Sequence, residues 1–517
     1  MVAILNRIRL RIRGSSIAYH LIGSDVDSLE KEDDTGLSVD EGGNGLWKAE
    51  FRQGKRKRFV VRWLQRLAIL LPSFLHASHP GASPVVIHET AWLDGLRGVA
   101  AFFVVWHHMS LLWFSWNIHD GWVDFDDRFV QLPIIRLAIS GLPNVMVFFA
   151  ISGYALSYKP LSLLRQDRHN ELYRTLASST FRRYPRLFIP AVVMGLTSMV
   201  FAYLGLFENG EGMPGAAVSP IHPPQLDTLW VQLIDYKNAV IRLCDIFTGS
   251  GSNWNYNNVL WTLPIEFRSS LTVFGLLLAL SRCTSRTRMA IGSCVALYSI
   301  WFIHWAEFLF IGGMLVADAG LAFRASSEAK PKLRFEDEIG RSWWLRIPRS
   351  QALGSFFSLA GFVTSLFVLS MPKFERNGAN SAGFRTLAAM VPGHFHQAGS
   401  GDYFWLPLAA VCLVMSIDSS RLLQRPFTTR FARYLGQISY SLYLIHLVIL
   451  QSVGFIMGKY FVSLTGSETN LQYFAGILCA TILFWPITIW AADLGWRFID
   501  AKVVKFAGWT YNKLCRK

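Results

Sequence analysis

"LDGLRGVAAFFVVWHHM" runs from Leu93 to Met109. It opens with an Asp-Gly pair and an arginine, becomes an apolar wall, and carries His107 and His108 inside that wall. A bilayer-spanning helix needs about 20 mainly apolar residues, and the surrounding segment, 96–116, has that length. A polar group at membrane depth is costly, so it faces a protein partner or a water-filled cavity. The stretch therefore predicts a spanning helix whose polar face looks into a bundle.

The rest of the chain agrees. Of 517 residues 52% are hydrophobic, 14% aromatic and only 16% charged, with a mean hydropathy of +0.31. A soluble chain carries roughly a quarter charged residues. The class is an all-α, polytopic membrane protein, with the lipid bilayer as a partner. The net charge of +15 does not indicate nucleic acid, because Lys and Arg sit in short loops between apolar runs and so set membrane orientation. The six cysteines are scattered without C-x-x-C spacing, which argues against a disulfide framework or a zinc site. His394 and His396 in "GHFHQAG" are half a ligand pattern with nothing to complete it, so no metal is expected.

Ten spans are expected, near 96–116, 139–158, 187–206, 259–280, 289–304, 306–323, 352–370, 403–417, 436–457 and 472–494. Every second connecting loop is basic. The run "KRKR" (55–58) precedes the first span and the acidic "HDGWVDFDD" follows it. The positive-inside rule then places both termini in the cytosol. The expected organisation is a cytosolic tail at 1–88, a membrane domain at 89–497 around an internal cavity, and a basic cytosolic tail at 498–517. The acidic part of the first tail lacks the apolar content for a core. Near 59–75, Arg62 and Arg66 share one face of an interfacial amphipathic helix. The opening "MVAILNRIRLRIRGSS" has arginines inside its apolar stretch, unlike a secretory signal. The segment 229–247 of the long loop 207–258 either lies along the membrane or folds over the outer mouth.

Arg97 and His108 are eleven residues apart. At 3.6 residues per turn they point the same way, separated by about 16 Å along the axis. His107 is rotated by about 100° and cannot share the role of His108. Two readings of His108 stand: a packing histidine bonded to a neighbouring helix, or a general base that takes a hydroxyl proton near neutral pH. Arg97 is either an anchor that reaches the headgroups or a group that holds a phosphate or carboxylate. A base and an arginine on one face suggest acyl transfer from a phosphate-bearing donor such as acyl-CoA.

These residues resemble the first-helix motif of the acyltransferase-3 family of multi-spanning membrane enzymes, especially its fungal branch: an arginine, ten residues, then a histidine. Four further stretches resemble family elements in order: "FFAISGYALS" (148–157) with Ser152 and Gly153, "RRYPRLFIPA" (182–191) with Arg183 and Arg186, "LWTLPIEF" (260–267) ending in Glu266, and "ISYSLYLIHL" (438–447) with Tyr443 and His446. One departure is Leu-Pro-Ile-Glu where bacterial relatives often have Ser-x-Glu, and Pro264 is expected to loosen the start of that helix.

The resemblance implies an O-acyltransferase without a bound cofactor. It would move an acyl group, acetyl or short, from acyl-CoA to a hydroxyl of a small metabolite such as a terpenoid or polyketide, or of a glycan or glycolipid. It implies His108 as base with Arg97 and Glu266 in the catalytic set. Arg183, Arg186 and Ser152 would hold the donor, and Tyr443, His446 and Asp94 would line the substrate cavity. Each has a plainer reading: Arg183 and Arg186 as anchors ending a basic loop, Ser152 as a small packing residue, Glu266 as a partner of Arg268. Direct transfer and a covalent acyl-enzyme both remain open. A transporter or flippase of lipid-like substrates is the alternative, since buried ionisable groups in a helical bundle suit it too.

Overall fold

The computed structural model describes residues 70–75, 88–123, 128–207, 221–247, 254–328 and 349–515. The chain divides into two units, 1–86 and 87–517. In the first, the described residues form a single short 3-10 turn, Ser73–Leu75. The rest of the expected N-terminal tail, including most of the helix expected near 59–75, lies outside the described residues.

The second unit is helical throughout its described regular elements. Its main helices are α1 (Ala91–Trp113), α2 (Gly141–Arg165), α3 (His169–Tyr203), α4 (Leu229–Cys244), α5 (Thr262–Ala279), α6 (Ser285–Trp301), α7 (Trp305–Glu328), α8 (Arg349–Leu369), α9 (Asp402–Asp418), α10 (Arg430–Ile449), α11 (Phe455–Thr465), α12 (Asn470–Gly495) and α13 (Ala501–Leu514). Each of the ten expected spans falls on one of these helices. Among the described residues seven helical segments are long and apolar enough to cross a membrane, and an eighth if α9 and the Arg421–Thr428 segment, bent by 103°, count as one. The apolar helix Leu353–Leu369 is shorter, and α6 has 17 residues. The count of ten thus exceeds what length and composition establish. The molecule is an all-helical protein of the multi-pass membrane type.

Two helix crossings position the interior, and both depend on glycine. A Cβ on Gly98 of α1 would lie 2.3 Å from the Gly436 nitrogen of α10, and one on Gly436 would lie 2.2 Å from the Asp94 carbonyl oxygen. In the α2–α7 crossing, a Cβ on Gly153 would lie 2.1 Å from the Phe310 carbonyl oxygen. Small residues let backbones touch where lipid supplies no hydrophobic drive for association. The Ser-Gly pair at 152–153 therefore divides its labour: Gly153 makes the crossing and Ser152, one position earlier, lines the cavity.

The buried apolar side chains form two clusters. One gathers Leu96, Met146, Tyr154, Phe310 and Leu413 from α1, α2, α7 and α9. The other gathers Val105, Trp113, Phe188, Leu442 and Phe484 from α1, α3, α10 and α12. Helix α1 serves the first with its opening turns and the second with its later ones. Local signals start the helices: Thr429 accepts from the Ala432 amide at the head of α10, and Thr469 and Gln472 form a capping box on α12. Pro264 is the third residue of α5. There its missing N–H is one the helix start leaves unpaired in any case, so it does not loosen the helix as expected.

Residues 496–500 continue α12 as a π-helical turn that leads directly into α13. The stretch beyond 497 is thus helical through Leu514, and α13 packs along α3. The loop segment 229–247 contains α4, which buries Gln232, Tyr236, Ala239 and Leu243 on one face. The Tyr236 hydroxyl donates to the Val192 carbonyl of α3.

Candidate active site

Helices α1, α2, α3, α5 and α10 surround a cavity of about 1190 Å³, its mouth included. Its polar wall brings together Arg97, Ser152, Arg183, Arg186, Glu266 and Tyr443. Six of the residues singled out in sequence, drawn from five helices, thus meet in one space. A second, outer cavity of about 990 Å³ is lined by Asp94, Arg433 and Lys505, among others. Arg97, Arg186, Gln437 and Asp500 line both and form the neck between them.

Arg97 is held from two helices. Its Nε donates to Ser439 Oγ at 3.0 Å and one terminal nitrogen donates to the Gly436 carbonyl at 3.0 Å. The same nitrogen lies 3.2 Å from Asp94, one turn earlier. The Gly98–Gly436 contact makes this possible, because it brings α10 within reach of a side chain on α1. Asp94 therefore stands in the outer cavity as the partner of Arg97, not in the inner one.

Arg183 donates to Glu266 at 2.6 Å. The two side chains are 10% and 20% exposed, so this is an ion pair at the edge of the cavity. Arg268, the sequence-local candidate partner, is exposed. Arg186 is exposed at the neck. Thr262 and Tyr443 place their hydroxyls 2.7 Å apart across α5 and α10, and Tyr443 also donates to the Val259 carbonyl. The neighbouring Tyr440 donates to the Leu187 carbonyl of α3.

The inner end of the cavity is walled by Val104, Thr262 and Tyr443. His108 lies one helical turn beyond Val104, and His446 nearly one turn beyond Tyr443. Their ring centroids are 5.2 Å apart. His108 is half-buried; its ring makes no hydrogen bond among the described residues. His446 is fully buried and stands behind the cavity wall. His107 points elsewhere: its Nδ1 lies 2.6 Å from the Ile139 carbonyl, and its ring packs against His119 at 5.6 Å. In the loop beyond α8, His394 contacts the Trp301 carbonyl at 3.0 Å and His396 packs on Phe374.

Sequence reasoning missed Gln437, Ser439, Arg433, Asp500 and Lys505. The first three lie on the helix that carries Tyr443 and His446, and its close approach to Arg97 could be read only from the glycines. Asp500 lies past the expected end of the membrane domain.

Residues 90–490 match the family model described as acyltransferase domain, the acyltransferase-3 family. The chain belongs to that family, and it is an acyltransferase. It is 39% identical over 462 residues to the O-acetyltransferase PaAT-1 of Phomopsis amygdali, covering 87% of this chain and 89% of the relative. It is 25% identical over 478 residues to the acyltransferase clz18 of Cochliobolus lunatus, with 83% and 97% covered. To the acyltransferase R4 of Phoma sp. (strain ATCC 20986 / MF5453) it is 23% identical over 461 residues, with 80% and 93% covered. No solved structure gives a significant match.

Proposed function

We propose that the protein is a membrane-bound O-acyltransferase that moves an acetyl or other short acyl group from acyl-CoA to a hydroxyl of a small metabolite, a terpenoid or polyketide. The observation that carries this reading is the two-chambered cavity. A basic outer chamber narrows at Arg97 and Arg186 into an inner one that stops one turn short of His108, whose ring makes no hydrogen bond among the described residues. The O-acetyl product class is supported by the 39% identical O-acetyltransferase.

The donor's phosphates sit in the outer chamber against Arg433, Lys505 and Arg186, where arginine forks match phosphate oxygens. Its thioester arm passes the neck beside Arg97. The acceptor hydroxyl lies against His108. As its oxygen bonds to the acyl carbon, His108 takes its proton; the C–S bond breaks, its electron pair leaves on sulfur, and the thiolate takes that proton back. Arg97, about 16 Å from His108 along α1, acts on the donor, not on the reacting atoms. Glu266, fixed by Arg183, holds the wall of the inner chamber. Loop charge supports a cytosolic side for the Arg97 end of α1, and with it for the outer chamber.

The test uses microsomes bearing wild type or His108→Ala at equal expression, supplied with radiolabelled acetyl-CoA and a pooled extract of hydroxylated metabolites. A labelled product formed by wild type and absent with the variant supports the reading. Equal labelling in both makes His108 a packing residue.

A further inference from the structure

His446 is a fully buried ionisable side chain beside the cavity, and its Nε2 meets no hydrogen-bond partner among the described residues. Its Nδ1 lies 3.1 Å from the Leu442 carbonyl and 2.9 Å from the Tyr443 carbonyl. A carbonyl oxygen accepts and cannot donate, so Nδ1 carries the proton. The neutral ring then presents a bare lone pair at Nε2. That atom is buried and finds no hydrogen-bond donor among the described residues. Leaving a buried acceptor unmet is unfavourable, and such groups usually have a functional explanation.

The nearby group able to meet it is His108. Its ring is 5.2 Å away centroid to centroid, a separation at which a modest ring rotation brings edge nitrogens to hydrogen-bond distance. His108 also has no competing hydrogen bond among the described residues. His107, the other ring beside His108 at 5.3 Å, is held by the Ile139 carbonyl.

We infer that His446 is a positioning residue for His108. Its main-chain-fixed tautomer accepts the N–H of His108 and so leaves the other His108 nitrogen bare toward the acceptor hydroxyl. The chain of bonds runs from the Leu442 and Tyr443 carbonyls through His446 to His108. It is the arrangement of a catalytic triad, in which a third group sets the tautomer of the base, but with a neutral acceptor in place of a carboxylate. A neutral partner suits a bundle interior, where a lone carboxylate would be far more costly to bury. When His108 takes the acceptor's proton, the imidazolium donates from both nitrogens, and His446 stabilises it without itself changing protonation. The inference rests on the reading of His108 as the base.

The experiment measures thiol release from acetyl-CoA by purified protein in the presence of the pooled hydroxylated extract. Wild type, His108→Ala, His446→Phe, His446→Gln and the His108→Ala/His446→Phe double variant are compared, with thermal melting checked for each. His446→Phe is expected to lower kcat about 100-fold, within the span attributed to general base catalysis, with KM for acetyl-CoA within threefold of wild type. His446→Gln, which keeps an acceptor oxygen, is expected to recover at least a tenth of wild-type kcat. The double variant is expected to be no slower than His108→Ala alone, because His446 acts only through His108.

Full activity of His446→Phe alongside an inactive His108→Ala overturns the positioning role and leaves the base standing. So do equal losses in Phe and Gln variants that melt like wild type, or multiplicative losses in the double variant. Activity of His108→Ala equal to wild type overturns the base and the positioning role together.

Discussion

Arg183 on α3 and Glu266 on α5 meet at 2.6 Å although 83 residues separate them. The pair closes one side of the inner chamber, and neither side chain is more than one-fifth exposed. Removing one partner of such a pair strands the other in a poorly solvated place. Arg183→Ala should therefore cost about 3 kcal/mol of stability, the lower end for a buried pair because the cavity admits water. Thermal unfolding in detergent reads it, and an unchanged melting point rejects the pair as a structural element.

Arg97 spends its fork on Ser439 and Gly436 while it faces the neck. A lysine keeps the charge and cannot reproduce that planar, two-helix grip. Arg97→Lys should raise KM for acetyl-CoA about tenfold or more, the worth of one charge-assisted hydrogen bond, with a smaller change in kcat. Initial rates over a range of acetyl-CoA check this; a fall confined to kcat places Arg97 with the chemistry instead.

Away from the cavity, Asp318 of α7 is buried between two arginines. Arg165 lies 2.5 Å from it and Arg288 2.8 Å, so α2, α6 and α7 are tied at one carboxylate. Asp318→Asn should destabilise the protein by about 3–5 kcal/mol. The fraction that stays folded should keep wild-type KM. A lowered melting point with normal KM is the expected pair of results.

His119 follows α1 in the connecting loop and is 8% exposed. Burial, above all, and then the neighbouring His107 push its pKa from 6.5 down to about 3. The folded value lies below the unfolded one. Its contribution is thus fully present above about pH 6.5 and is lost as pH falls toward about 3, by about 1.4 kcal/mol per unit. His119→Gln should flatten that part of the curve. Melting points of both proteins between pH 7 and pH 4.5 decide it: parallel curves remove His119 as the cause.

The sequence made some of this legible and hid the rest for physical reasons. Arg97 and His108 could be placed on one face because both sit on one regular helix with a fixed period. The membrane class followed from the length of apolar runs. Glu266 was harder: the local candidate was Arg268, two residues away, whereas the partner found is Arg183, and no local rule reports a pair formed by folding. Asp500 was hidden by the π-helical turn at Trp496–Asp500, which shifts the register on which face arguments depend. His446 could be flagged as polar in an apolar helix, but its orientation behind the wall depends on how α10 rotates against α1. The number of spans resisted sequence reading because α6 and α9 are short and α9 ends in a sharp bend.

The glycine crossing of α1 and α10 also has a consequence for how the protein is made. Helix α1 leaves the ribosome some 330 residues before α10 does. Until α10 arrives, Arg97 has only Asp94 of its own helix to pair with, because Ser439 and Gly436 both lie on that late helix. Newly inserted α1 is thus a polar span awaiting its counterpart. A chain that stops before residue 430 lacks that counterpart, so early truncation is expected to lower the amount of protein in the membrane and not leave a full complement of inactive remnant.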